Sequence, residues 1–432
     1  MHQFRTSCRA AVCIERGVLI DPRVVRARVA GTKARGEGSA RIEPINTVWP
    51  VAAKGFRPFF LLAGLFATLV VPLWLLVIDG TVQVSSYLDP INWHAHEMVF
   101  GFAAAVIAGF LLTAVGNWTK RETAIGFPLL GLAALWIAGR ILITASSPFP
   151  PWLVAVVDLS FLPALAIVIA RPLIATRNHK NLVMVAILTA LFAANLMIHL
   201  DALGALPGWR RRGDLMGVDV LVLVILVIAG RVLPMFTRNA TGVDSIASSP
   251  RLDRLVLGAM AIYVVLDLLI PSLAITPSWG LLVAVLAVAR SWRWGARYSL
   301  RTPLLWVLHL GYLWIPIGLA LRAVAAVTPL VSPQIATHAL TIGAVGTLTL
   351  GMMARVALGH SGRMLVAARP IALAFALALL AGLVRVAGAA VGIEAYRSTL
   401  IAAGLVWTAA FSLYLVIYAP ILVSARSDGK PG

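Results

Sequence analysis

The chain alternates between long apolar runs and short polar connections. The apolar runs are mostly 18–25 residues, about what an α-helix needs to cross a bilayer core. Twelve such spans are expected, near 58–78, 94–116, 124–144, 152–170, 181–203, 216–236, 252–271, 276–290, 303–323, 333–357, 368–391 and 397–423. The eighth is the shortest and starts near Pro277. No short alternating segments of the kind that build a β-barrel interrupt the pattern, and no internal repeat is evident. The expected class is an all-α, polytopic membrane helix bundle.

The connections set the sidedness. Lys120, Arg121, Arg171, Arg177, Lys180, Arg238, Arg251, Arg254, Arg290, Arg293, Arg297, Arg301, Arg363 and Arg369 all follow even-numbered spans. Loops after odd-numbered spans are nearly bare, apart from Arg210, Arg211 and Arg212 in "GWRRRGD". Cytoplasmic loops carry the excess of Lys and Arg, so both termini are expected in the cytoplasm.

Composition agrees with this class. Of 432 residues, 60% are hydrophobic and 12% charged, against about 25% charged in soluble domains. The net charge of +19 lies in the loops rather than on a soluble face, which argues against a nucleic-acid partner. Residues 1–52 form a basic, Gly-containing tail without a signal-peptide core. Residues 53–424 form the membrane domain, and 425–432 a short cytoplasmic tail. The only cysteines, Cys8 and Cys13, lie in the first tail and lack the spacing of a zinc site.

The candidate chemistry lies near the outer face. In "WHAHEMVFGF", His94 and His96 open the second span, followed by Glu97 and Met98. His199 lies about one turn from the outer end of the fifth span. His338 is roughly 8 Å into the tenth, at about 1.5 Å per residue. Helical spacing puts His94, Glu97, Met98 and Gly101 on one stripe and turns His96 elsewhere. Ionisable residues inside membranes are usually functional, and imidazole is a common ligand for haem iron and for copper. Arg140 and Arg322 lie at a similar depth, where they would snorkel to headgroups or pair with haem propionates. Gly343, Gly346 and Gly351 in the tenth span allow close helix packing, and the same smooth face would admit a flat macrocycle.

Four stretches carry a resemblance: "GFRPFFLLAGLF" (55–66), "HAHEMVFGFAAAVIAGFLLTAVGNWT" (94–119), "GRVLPMFTRN" (230–239) and "HALTIGAVGTLTLGMMARVALGHSGR" (338–363). In this order they resemble the NnrS family, in which a proline commonly stands where this chain has Gly116. The resemblance implies a multi-pass protein of the bacterial inner membrane that binds haem b, with copper as a second metal. It implies a role in nitric oxide stress and denitrification, with nitric oxide or a related small molecule as ligand. A fainter similarity is to the catalytic subunits of haem–copper oxidases and nitric oxide reductases, which bear haem-ligating histidines on the second and tenth spans. The paired histidines of their tenth span and the histidine of their sixth are missing here, which speaks against a complete binuclear centre. The expected iron axis is His338 with His94 or His96. Glu97, Met98 and His199 are left for a second metal or for its support. Catalysis, storage and protection of cellular iron all remain open on these residues, as does the oligomeric state. The alternatives are a solute or metal transporter and an accessory protein of respiratory complexes.

Overall fold

The computed structural model describes residues 49–388 and 393–430, with side chains 393–395 left out. The expectations for Cys8, Cys13 and nearly all of the tail at 1–52 lie outside the described residues. The rest is helical. In chain order the helices are α1 (Phe56–Ile78), α2 (Pro90–Thr119), α3 (Phe127–Thr144), α4 (Pro151–Ala175), α5 (Val183–Ala202) and α6 (Arg210–Thr241). They continue as α7 (Pro250–Leu269), α8 (Ile275–Ser291), α9 (Pro303–Val327), α10 (Pro333–His360), α11 (Arg369–Gly388) and α12 (Ile393–Val423).

Local chemistry sets where several of these helices start. Proline stands in the first turn of α2, α7 and α10, where no backbone N–H is needed. Just before it, Asp89, Ser249 and Ser332 accept from the backbone N–H of Asn92, Leu252 and Ile335 at 3.2, 3.5 and 3.4 Å. Such caps satisfy donors that helix starts leave unpaired.

Ten of the helices are long and apolar enough to cross a membrane. The exceptions, α7 and α8, correspond to the seventh and eighth expected spans. Helix α7 carries Arg251, Asp253, Arg254 and Asp267. Helix α8 has 17 residues, roughly 25 Å at about 1.5 Å each, against a core of about 30 Å. The two pack together, and Trp279 Nε1 donates to the Ala259 carbonyl at 2.8 Å.

Helix α2 is the most enclosed of the membrane-length helices, with α10 next. Enclosed on most sides, both bury polar side chains as well as apolar ones. They touch each other, and α6 lies against both. Each also contains a π-helical stretch, Glu97–Ala103 in α2 and Ala339–Gly346 in α10. Both stretches begin within three residues after a histidine.

The order of elements in α1–α4 recurs in α9–α12. A helix with an internal proline (Pro72, Pro316) is followed by a Pro-capped helix with a π-helical stretch. Next comes a helix with a buried arginine (Arg140, Arg385), then one interrupted late by proline (Pro172, Pro420). Helix α1 packs on α2 as α9 packs on α10, and α3 on α4 as α11 on α12. The two ends of the chain therefore share an order of elements that the sequence reading did not expect. What recurs is punctuation and a few polar positions rather than a residue pattern.

The tenth-span glycines are packing sites. A Cβ on Gly343 would lie 2.5 Å from the Trp314 ring, and one on Gly351 would lie 2.8 Å from Val307. Trp407 stands equally close to Gly346. The smooth face expected to admit a macrocycle is thus filled by the protein's own side chains. Gly343→Ala should lower the unfolding midpoint in detergent, at an overpacking cost of about 1–3 kcal/mol. Gly258→Ala, where a Cβ meets nothing within 4 Å, should raise it by up to about 1 kcal/mol through helix propensity.

Candidate metal and cofactor site

Two polar neighbourhoods meet at the start of α2, and the two histidines there divide between them. His96 faces α3, α4 and α5. Its Nδ1 lies 3.1 Å from Glu97 Oε1 and its Nε2 lies 2.9 Å from Asn195 Oδ1. Arg140 Nη1 donates to the same Glu97 oxygen at 2.6 Å, while Nη2 donates to Asp158 Oδ1. The other Asp158 oxygen accepts from Asn195 Nδ2 at 2.7 Å and from His199 Nε2 at 2.9 Å. His96, Glu97 and His199 are 0% exposed, Asn195 1%, Asp158 3% and Arg140 7%.

Protons can be followed through this network from its outer edge. Burial first, and the negative charge of Asp158 second, push the Tyr87 phenol upward in pKa, so it keeps its proton. Tyr87 therefore donates to His199 Nδ1. That leaves His199 Nε2–H to donate to Asp158, which fixes the tautomer of the ring. His96 differs, because both of its nitrogens face oxygen acceptors. Only the doubly protonated ring fills both contacts.

Charge balance gives a second reason. Two carboxylates face one guanidinium, so the cluster carries one uncompensated negative charge unless His96 is an imidazolium or a metal cation is present. Glu97 Oε2 and Arg140 Nε are buried without partners. One ligand atom each from His96, Asp158 and His199 lie within 4.8 Å of one another. Two imidazoles and a carboxylate are a donor set that suits zinc, copper or iron.

His94 turns the other way. Its ring stacks on Trp74 at 4.1 Å, and it lies within electrostatic range of His338 and Arg385. His338 Nδ1 donates to the Gln334 carbonyl at 2.7 Å. That bond leaves the lone pair on Nε2, the arrangement a metal-binding imidazole requires. His94 Nδ1, Trp74 Nε1 and Arg385 Nε are buried without partners. Arg385 is 3% exposed and donates through Nη2 to the Tyr396 hydroxyl at 2.7 Å. In α1–α4 the matching arginine meets two carboxylates; here it meets a phenol.

The remaining expected site residues fall as follows. Arg322 binds Asp219 at 2.5 Å and stands 3.8 Å from Asp267, joining α9 to α6 and α7. Met98 packs against the hydrophobic core. Glu97 shares neither the face nor the partners of His94, contrary to the expected stripe. The π-helical stretch starts at Glu97, and its i→i+5 bonding breaks the 3.6-residue spacing on which the stripe relied. Three network members were missed as site residues. Asn195 stands one turn from His199 and could have been found by i,i+4 spacing. Asp158, a carboxylate in the middle of an apolar span, carried a signal of its own. Tyr87, in a loop, carried none.

Arg140→Ala should destabilise the protein by about 3–5 kcal/mol, because it strands two buried carboxylates. Adding Glu97→Gln and Asp158→Asn should recover part of that loss. Unfolding in detergent micelles checks both.

The family model described as NnrS protein matches residues 50–426. A search of curated proteins finds no match.

Proposed function

The chain belongs to the NnrS family, and we propose that it holds haem b and a second metal, copper, in the nitric oxide response of a bacterial inner membrane. The observation that carries this reading is His338, whose Nδ1–H is held by the Gln334 carbonyl while Nε2 is left for a ligand. In this reading the imidazoles of His338 and His94 would hold the haem iron. Arg385 meets a propionate carboxylate, since Arg140 and Arg322 already hold carboxylates of the protein. His96, His199 and Asp158 would hold the copper in place of the Nε2 protons of both rings, with the His199 proton moved to Nδ1 to donate to the Tyr87 oxygen. Met98 and Glu97 flank these positions without a ligand role.

When bound, the two metals supply redox-active centres near the outer face. The protein's own part is to orient the imidazoles. The Gln334 carbonyl fixes one ring, and Tyr87 and Asp158 fix another. Nitric oxide or a related small molecule is the ligand in this reading. The bundle crosses the membrane twelve times, with α7 and α8 as a short pair and both termini cytoplasmic.

The recurrence of α1–α4 in α9–α12 favours a second reading, because transporters are often built from repeats. Against it, the buried charges lie towards the two ends of the bundle rather than at its middle.

An optical spectrum with metal analysis of the purified protein separates the two readings. The proposal expects a six-coordinate haem b spectrum that is lost in His338→Ala and His94→Ala. His96→Ala and His199→Ala should keep the haem and lower the copper content. Absence of haem after expression with adequate haem supply would sink the proposal, and uptake assays would then test transport.

A further inference from the structure

Far from His94, His96, His199 and His338, at the end of the bundle where the basic loops lie, Arg355 of α10 is 7% exposed. Its guanidinium lies over the Phe236 ring of α6, 3.9 Å from the centroid. That contact uses the flat face of the group and leaves five in-plane N–H donors. Among the described residues, no carboxylate, carbonyl or hydroxyl accepts from them. Two other arginines at this end of the bundle have acceptors. Arg231 Nη1 donates to Asn181 Oδ1 at 2.6 Å, and Arg57 Nη1 donates to the Leu422 carbonyl at 3.0 Å. A buried cation without a counter-charge is costly, so Arg355 needs a partner from outside the described residues.

The adjoining space indicates what that partner is. A cavity between α1, α2, α6 and α10 is lined by apolar side chains, among them Phe60, Ile107, Ile228, Val232 and Met352. Thr349 also lines it, but its hydroxyl is turned onto the Gly346 carbonyl at 3.0 Å. Met352 and Arg355 share a face of α10 at i,i+3, and Val232 and Phe236 share a face of α6 at i,i+4. The Arg355–Phe236 contact therefore stands at one end of the cavity. From there the tip of α10 at His360 is roughly 8 Å away, at about 1.5 Å per residue. That places the guanidinium just inside the membrane boundary, with the apolar space running deeper.

We propose that this cavity and Arg355 form a binding site for one anionic phospholipid, with an acyl chain between α1, α2, α6 and α10 and the phosphate on the guanidinium. The chemistry matches at both ends. The phosphodiester supplies the missing negative charge and planar acceptors for the guanidinium fork. The acyl chain fills a space that offers no polar partner. The site is independent of the metal reading, because none of its residues belongs to either histidine neighbourhood.

The test uses the full-length protein purified in mild detergent, stripped of loosely held lipid and titrated with phosphatidylglycerol under native mass spectrometry. Three variants accompany it: Arg355→Gln, which removes the charge and keeps the length; Ile228→Trp, which fills the cavity; and Arg297→Gln, a loop control. The proposal expects one tightly held phosphatidylglycerol in the wild type and the control, bound at least about tenfold more weakly in both site variants. The haem and copper contents should be unchanged in all, provided each variant keeps the wild-type unfolding midpoint. Equal binding in the wild type, Arg355→Gln and Ile228→Trp would overturn it. So would recovery of an isoprenoid quinone, rather than a phosphate-bearing lipid, from the stripped wild-type protein. If one site variant fails to fold, the other decides.

Discussion

Ionised side chains placed between apolar helices must balance their charges locally, because no solvent is present to do it for them. Glu97 and Asp158 face Arg140 across three helices, and every other polar group in that neighbourhood is arranged around this unequal trio. His96 gives both of its nitrogens to the excess negative charge. His199 is held in one tautomer by Tyr87 so that it too donates inward. Packing of α2 to α5 is therefore set by electrostatics where lipid and apolar side chains alone would leave the helices free to slide. The same inequality makes the place attractive to a cation, since a metal ion and a ring proton are alternative ways of closing the sum.

The corresponding neighbourhood in α9–α12 is solved differently. Arg385 occupies the place that Arg140 occupies in α1–α4, but it meets the Tyr396 hydroxyl in place of carboxylates. His338 has an unused ring nitrogen, and His94 and Trp74 bring further unpaired atoms nearby. The first neighbourhood pairs its arginine with carboxylates of the protein, while the second leaves Arg385 Nε and His94 Nδ1 without partners. The proposed placement of a metal with carboxylate support in the first, and of a group bearing its own carboxylates in the second, rests on that contrast.

Much of this was legible in the chain. Apolar runs located every helix, including the short eighth, and the spacing of His94 and His96 showed that they could not serve one centre. What the sequence hid is physical in origin. The partners of Arg140 come from two other helices, so no local spacing encodes them. The π-helical stretches in α2 and α10 break the periodicity on which a stripe of His94, Glu97 and Gly101 depended. The repeated halves escaped notice because bilayer-facing positions accept almost any apolar residue, leaving prolines and one arginine as the shared marks. Gly343 and Gly351 read correctly as small residues for packing; the indole beside Gly343 and the valine beside Gly351 belong to α9, and only the fold reveals that they fill the space.

The division of "HAH" between two neighbourhoods has a mechanical consequence. His94 and His96 are two residues apart on one helical turn, and that turn opens into a wider coil immediately afterwards. Anything that rotates this turn to improve the fit of one imbalanced pocket displaces the imidazole of the other. The two neighbourhoods therefore share a single hinge pin, and in the proposed reading occupancy of one would change the affinity of the other, equally in both directions.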